Sequence, residues 1–241
     1  TTIHPTAIID PSAQLGENVQ IGPFAIVEAD TVIGDGCVLN NNAVIRRFTA
    51  LGAGNNVDSF AVLGGVPQDV KFDPNDETYV IIGDNNTFRE GVTINRATTP
   101  GGATRVGSNT YWMVNSHAGH DSTTLDGATL VNSACLAGHS ELGERCILSG
   151  FAGIHQFCWV GEGCLGQGSS VSPMHVPPFC IMTHTNQVSG LNIVGMRRAG
   201  YSATDRHEVK EAFALLFRSG LPTDRAIAEM DTRDDWGPAA S

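Results

Sequence analysis

Basic residues are scarce in this chain. Lysine and arginine number 14 against 25 aspartates and glutamates, a formal net charge of −11 at pH 7. So acidic a surface repels phosphate backbones. It excludes generic nucleic-acid binding while leaving room for a small anion at a local basic cluster. Aromatic residues are only 7% of the 241 positions, whereas glycine occurs 28 times, a balance suited to many tight turns and few bulky core residues. No apolar run reaches the roughly 18 residues that a membrane-spanning helix needs, so none is expected. The opening stretch "TTIHPTAIID" lacks a basic segment followed by an apolar one, so no signal peptide is expected. The six cysteines (Cys37, Cys135, Cys146, Cys158, Cys164 and Cys180) form no CxxC pair and sit beside apolar residues or glycine. They are expected to be buried free thiols, as in a reducing cytoplasm.

What the chain does have is a repeat. Stepping by six from Ile3 meets Ile9, Leu15, Ile21, Val27, Ile33, Leu39, Ile45, Leu51, Val57 and Leu63. Unbroken aliphatic spacing of this kind marks a hexapeptide repeat, and three hexapeptides make one triangular turn of a coil. Each short strand buries one face and completes its hydrogen bonds on the coils above and below. The fold class expected is therefore an all-β solenoid, a left-handed parallel β-helix of roughly nine turns.

The register breaks twice. "GGVPQDVKFDPNDETY" carries two prolines and four acidic residues, and "RATTPGGAT" interrupts again. Both read as loops ejected from the coil, near 64–80 and 96–105, where a solenoid places its binding groups. The six-step returns from Val106 through Val160 and fades at Gly166 and Ser172. The β-helix is assigned to 1–188 and a short α-helical appendage to 189–241. There, Ser202 followed by Asp205 reads as a capping box. Val209, Ala212, Phe213, Leu216 and Phe217 then give an apolar helical face that Gly220 ends. Thr223 is expected to cap a second helix through about Met230, before an irregular tail "DDWGPAAS".

Coil arithmetic gathers the histidines. With eighteen residues to a turn, His139 is His120 plus nineteen and His155 is His120 plus thirty-five. These three should lie near one wall on coils about 4.8 Å apart, with His117 three residues before His120. Asp121 could accept a turn hydrogen bond or orient the neighbouring imidazole as a general base requires. That pairing needs a corner, which Gly119 could supply. No cysteine adjoins a histidine, so a thiol nucleophile is not expected. His4, His175, His184 and His207 read as surface or core residues.

"NSHAGHD", "LAGH" (136–139), "GIHQFC" (153–158), "PQDVKF" (67–72) and "GLNIVGMRRAG" (190–200), in this order, resemble the bacterial UDP-N-acetylglucosamine acyltransferases of lipid A biosynthesis. The resemblance implies a cytoplasmic homotrimer with clefts between subunits. It implies transfer of a 3-hydroxyacyl chain from acyl carrier protein to the 3-hydroxyl of UDP-N-acetylglucosamine, with no cofactor and no metal. It implies His120 as general base, Asp121 as its partner and the Gly138 N–H as oxyanion donor. Asp69, Lys71, His117, His139, His155, Gln156, Asn192 and Arg198 would bind substrate. Gly168 would set acyl length, its missing side chain leaving room for a longer chain. Imidazole, with an ordinary pKa near about 6.5, suits proton transfer from a hydroxyl at neutral pH.

The chain departs from the pattern at three positions. Asn95 stands where a histidine is usual, Val194 where a glutamate is frequent and Ala199 where a second basic residue is common. The helical appendage is also shorter. These changes raise an alternative acceptor, the 3-amino analogue of the sugar nucleotide, which would give an amide. Readings of other classes are a zinc enzyme of carbonic anhydrase type on the same coil, with three histidines around one metal, and an inactive scaffold.

Overall fold

The computed structural model describes residues 1–233 and 236–240; Asp234, Asp235 and Ser241, part of the tail expected to be irregular, lie outside the described residues. The chain forms a left-handed parallel β-helix with three faces, sheets of 11, 9 and 8 short strands. Most strands are two residues long, one pointing in and one out. The inward positions are the six-step residues. Ile33, Leu39, Ile45, Leu63, Ile94, Leu130, Leu136, Leu142 and Leu148 are almost wholly buried in one continuous core.

Strand register measures the ejected loops. Val44 pairs with Val62, a turn of eighteen residues, but Val62 pairs with Thr93, thirty-one residues on. The first loop therefore adds thirteen residues. Thr93 pairs with His117, twenty-four on, and His117 with Cys135, eighteen on. The second loop adds six, and the period is then restored.

The corners use left-handed backbone with side chains attached. Asp30, Phe48, Asp121, His139 and Phe157 all have φ between +56° and +62°. Only short polar residues adopt this conformation at low cost, so coil packing must impose it. Residues at such corners point outward, which is how Asp121 and His139 leave the core.

The coil continues through the turns where the aliphatic pattern fades: Leu165–Gly166 and Val171–Ser172 are strands. Gly166 needs no side chain because Met182 and Leu148 fill its place; a Cβ there would lie 2.9 Å and 3.0 Å from them. A hairpin, Cys180–Thr183 antiparallel to Gln187–Leu191, closes the stack. Its second strand runs across 188/189. Helix α1 (Ile193–Arg198) was not foreseen; α2 (Ala203–Arg218) carries the Ser202–Asp205 capping box. In α3 (Thr223–Met230) Pro222, not Thr223, holds the cap position, with no side-chain cap bond. Five cysteines are buried, but Cys135 is exposed. Cys135 precedes inward Leu136 by one residue and so points out. Each buried cysteine lies two residues before an inward position and so points in.

Candidate active site

The site is assembled by the eighteen-residue period. His120 occupies the first position of a corner and Asp121 the second. One turn later those positions are Gly138 and His139; another turn gives Gln156 and Phe157. His139 is thus stacked over Asp121 rather than His120. Its ring lies 5.2 Å from that of His120, nearly perpendicular, and stacks at 4.6 Å on Phe157.

Asp121 is held from several sides. Its Oδ2 accepts from Thr98 N at 3.0 Å and Thr98 Oγ1 at 2.7 Å, both on the second ejected loop. Its own N–H donates to Thr104 Oγ1 at 2.8 Å. His120 Nδ1 is 2.9 Å from the same Oδ2, and His139 Nε2 is 3.6 Å away. Burial by itself would raise the Asp121 pKa; hydrogen bonds from His120 and then Thr98 outweigh it and hold the carboxylate below its ordinary range. An ionised carboxylate only accepts, so His120 Nδ1 carries the hydrogen and Nε2 is left with a free lone pair. The pair does not need a glycine for its turn. Gly119 is required instead by close coil packing, since a Cβ there would meet Gly138 N at 2.8 Å.

Gly138 leaves space for His120. A Cβ at 138 would sit 2.5 Å from the ring's Cε1 and 2.7 Å from Nε2. Among the described residues, nothing accepts a hydrogen bond from the Gly138 N–H. His117 Nδ1 meets Thr93 Oγ1 at 2.8 Å. Burial, and secondarily the charge of His120, push the His117 pKa down, against the opposing effect of Thr93.

These groups border an open hollow of about 430 Å³ lined by His117, His120, Gly138 and His155, with Gln68 from the first ejected loop, Asn95 and Cys135. Asn95 is 6% exposed; its Nδ2 donates to Val66 O at 3.1 Å, while its Oδ1 has no partner. The hollow thus presents a base lone pair and a free backbone donor, while the Asn95 Oδ1 lies buried beneath its wall without a partner.

Two family models match the chain. Residues 12–47 fit "Bacterial transferase hexapeptide (six repeats)" and residues 175–239 fit "Udp N-acetylglucosamine O-acyltransferase; Domain 2". An acyl-[acyl-carrier-protein]--UDP-N-acetylglucosamine O-acyltransferase of Alkalilimnicola ehrlichii is 49% identical over 232 residues, 95% of this chain and 90% of the relative. One from Anaeromyxobacter sp. (strain Fw109-5) is 46% identical over 231 residues, with the same coverage. The crystal structure of the UDP-N-acetylglucosamine O-acyltransferase of Moraxella catarrhalis RH4 superposes with a TM-score of 0.92 at 39% identity, over 96% of this chain and 91% of that one. This chain belongs to the UDP-N-acetylglucosamine O-acyltransferase family.

Not every residue expected in an acyltransferase site gathers at His120. His117, His139, His155, Asp121 and Gly138 do. Lys71 is exposed on the first ejected loop, where its N–H donates to Asp69 Oδ1 at 2.8 Å; it is Gln68 that reaches the hollow. Asn192 caps α1 through Gly195 N and donates to Gly163 O at 2.9 Å. With Arg198, Arg145 and Tyr201 it lines a second hollow, of about 380 Å³, which shares no lining residue with the first. Gln156 and Gly168 line neither. A Cβ at Gly168 would meet only Gly150 O, at 3.6 Å. Thr98 and Gln68 were not foreseen at this site. Thr98 was visible only as one polar residue in a loop whose path was unknown.

His120, Asp121 and His139 also bring one ligand atom each within 4.8 Å of one another. That differs from the three histidines of a zinc site. Asp121 Oδ2 already takes three hydrogen bonds, one of them from His120.

Proposed function

We propose that the hollow at His120 is where the sugar 3-hydroxyl of UDP-N-acetylglucosamine attacks the thioester of a 3-hydroxyacyl acyl carrier protein, the first step of lipid A biosynthesis. His120 Nε2 takes the hydroxyl proton as the oxygen attacks the thioester carbonyl. The tetrahedral oxyanion accepts from the Gly138 N–H. Collapse breaks the carbon–sulfur bond and expels the carrier's thiolate, which takes the proton from His120 to become the free thiol, and leaves an ester on the sugar. Asp121 keeps Nε2 as the base and stabilises the transient imidazolium. A thioester is reactive enough for this without metal or redox cofactor. The relatives are O-acyltransferases, so the 3-amino acceptor is not favoured.

His117, His155 and Asn95, which line the hollow, position the sugar. Asp69 and Lys71, with Gln156, face the nucleotide and His139 supports Asp121. The hollow of Asn192 and Arg198, guanidinium included, holds anionic donor or nucleotide groups. Gly168 limits the acyl tail. These groups lie apart on one chain, which supports a homotrimer whose clefts draw residues from two subunits, with the coil 1–188 as scaffold and 189–241 shaping its end. Both substrates are cytoplasmic metabolites, the compartment we assign. Among the described residues no helix is long and apolar enough to cross a membrane.

One observation carries the reading: an imidazole pinned by a carboxylate, with an unpartnered backbone N–H beside it, both bordering one hollow. The test is His120→Ala. Turnover should fall by about 10²–10⁴-fold, the scale of a lost general base, with the circular dichroism of the coil unchanged. Activity within a few-fold of the parent would remove His120 from the role.

A further inference from the structure

Arg96 is 6% exposed, yet no carboxylate pairs with it among the described residues. Burial, and next the nearby charge of Arg47, both disfavour its cationic form. A cation in such a place is costly unless something specific is gained. Its contacts show what that is. The Arg96 N–H donates to Gly65 O at 2.8 Å. Its Nη1 reaches Thr78 O, at a long 3.5 Å. Its guanidinium lies 5.3 Å from the Phe48 ring on the coil and 5.8 Å from the Phe72 ring on the first ejected loop. Gly65 is the last strand residue before that loop, Thr78 the last residue within it, and Phe72 lies near its middle. Arg96 therefore touches one foot of the loop through its backbone N–H, and the other foot and the centre through its guanidinium.

We propose that Arg96 is a positioning residue that clamps the 66–78 loop against the coil, fixing where Gln68, Asp69 and Lys71 stand relative to His120. The cation–π contacts suit the task. They act through ring faces and need no partner carboxylate, which would compete with an anionic substrate for Lys71. The adjacency of Arg96 to Asn95 gives the clamp a short path, since the same strand end places the Asn95 amide in the hollow. The inference rests on the reading that this loop contacts the sugar nucleotide.

Its test uses the full-length chain with trypsin, and with UDP-N-acetylglucosamine and acyl carrier protein thioester. In Arg96→Met, cleavage after exposed Lys71 should speed up, and KM for the sugar nucleotide should rise about tenfold, the scale of one desolvated cation–π contact. The turnover number should stay within about threefold, the sign of lost uniform binding. Phe72→Leu should act in the same direction, and the double variant should be less than additive. Arg96→Lys should restore KM in part, because an ammonium keeps the cation but not the planar fork. Phe72→Leu removes only a loop side chain, so it tests the clamp even if Arg96→Met fails to fold. Unchanged cleavage and KM in Phe72→Leu would overturn the proposal, as would full additivity. Lys71→Ala separates the two readings. If it leaves KM unchanged while Arg96→Met still speeds cleavage, the clamp stands and the loop's substrate role falls. If Lys71→Ala raises KM and neither clamp variant does, the clamp alone falls.

Discussion

Gly138→Ala adds one methyl group in the site and removes nothing. The new Cβ would stand 2.5 Å from His120 Cε1, 2.7 Å from Nε2 and 3.0 Å from Nδ1. Carbon contacts relax only near about 3.5–4.0 Å, so the ring must retreat by about 1 Å. The Gly138 backbone has no positive φ to forbid alanine, and the clash is with a side chain of the neighbouring coil rather than with its backbone. The ring is therefore what moves, stretching its 2.9 Å bond to Asp121. A displacement of that size at a reacting group costs about 10²-fold in rate. Steady-state assay with a fixed acyl carrier protein thioester should show the turnover number falling by about that factor, with the melting temperature nearly unchanged. Two comparisons isolate the cause. Gly168→Ala, whose Cβ meets only Gly150 O at 3.6 Å, should fold normally and retain transfer. His120→Ala combined with Gly138→Ala should be no slower than His120→Ala alone, because the added methyl acts only through the ring. Turnover within threefold of the parent, or a double variant much slower than His120→Ala, would refute the reasoning.

Asn95→Leu should leave stability nearly unchanged, because an orphaned buried acceptor is lost along with one hydrogen bond to the backbone. It should raise KM for the sugar nucleotide about three- to tenfold, about the worth of one polar contact, because an apolar branch replaces the amide in the lining of the hollow, as read from initial rates at saturating donor. Acid should weaken the fold in two stages. The fold holds His117 below its ordinary 6.5, so the stability it contributes is complete above pH 6.5 and falls as pH drops toward the lowered value. Asp121 is held below 3.8, so its contribution persists above pH 3.8 and is lost only as pH falls through its own lowered value. Thermal unfolding against pH should show the first stage disappearing in His117→Gln and the second remaining.

The coil was legible because its code is local. One inward aliphatic per strand repeats every six residues, and the two breaks in that spacing are the two loops. The histidine wall was legible for the same reason, since eighteen residues return the chain to the same place. The opposition of Gly138 to His120 follows from that arithmetic as well. The Thr98–Asp121 contact could not be read, because it spans twenty-three residues and depends on how a loop returns to the coil. Helix α1 has only six residues, too short for a helical period to show. The aliphatic pattern fades over the coil's last turns because Met182 and Leu148 supply the filling that Gly166 lacks. Cys135 was misplaced by composition alone, although its position one residue before Leu136 fixes it outward.

The most direct measurement is mass spectrometry of the product formed by the purified chain from a 3-hydroxyacyl acyl carrier protein and UDP-N-acetylglucosamine, with fragmentation to locate the new bond. The account requires a single acyl group esterified at the sugar 3-position and free carrier thiol in equal amount, with both nearly absent for His120→Ala. Acylation at another position, carrier thiol released without acyl-sugar, or equal product from His120→Ala would contradict it.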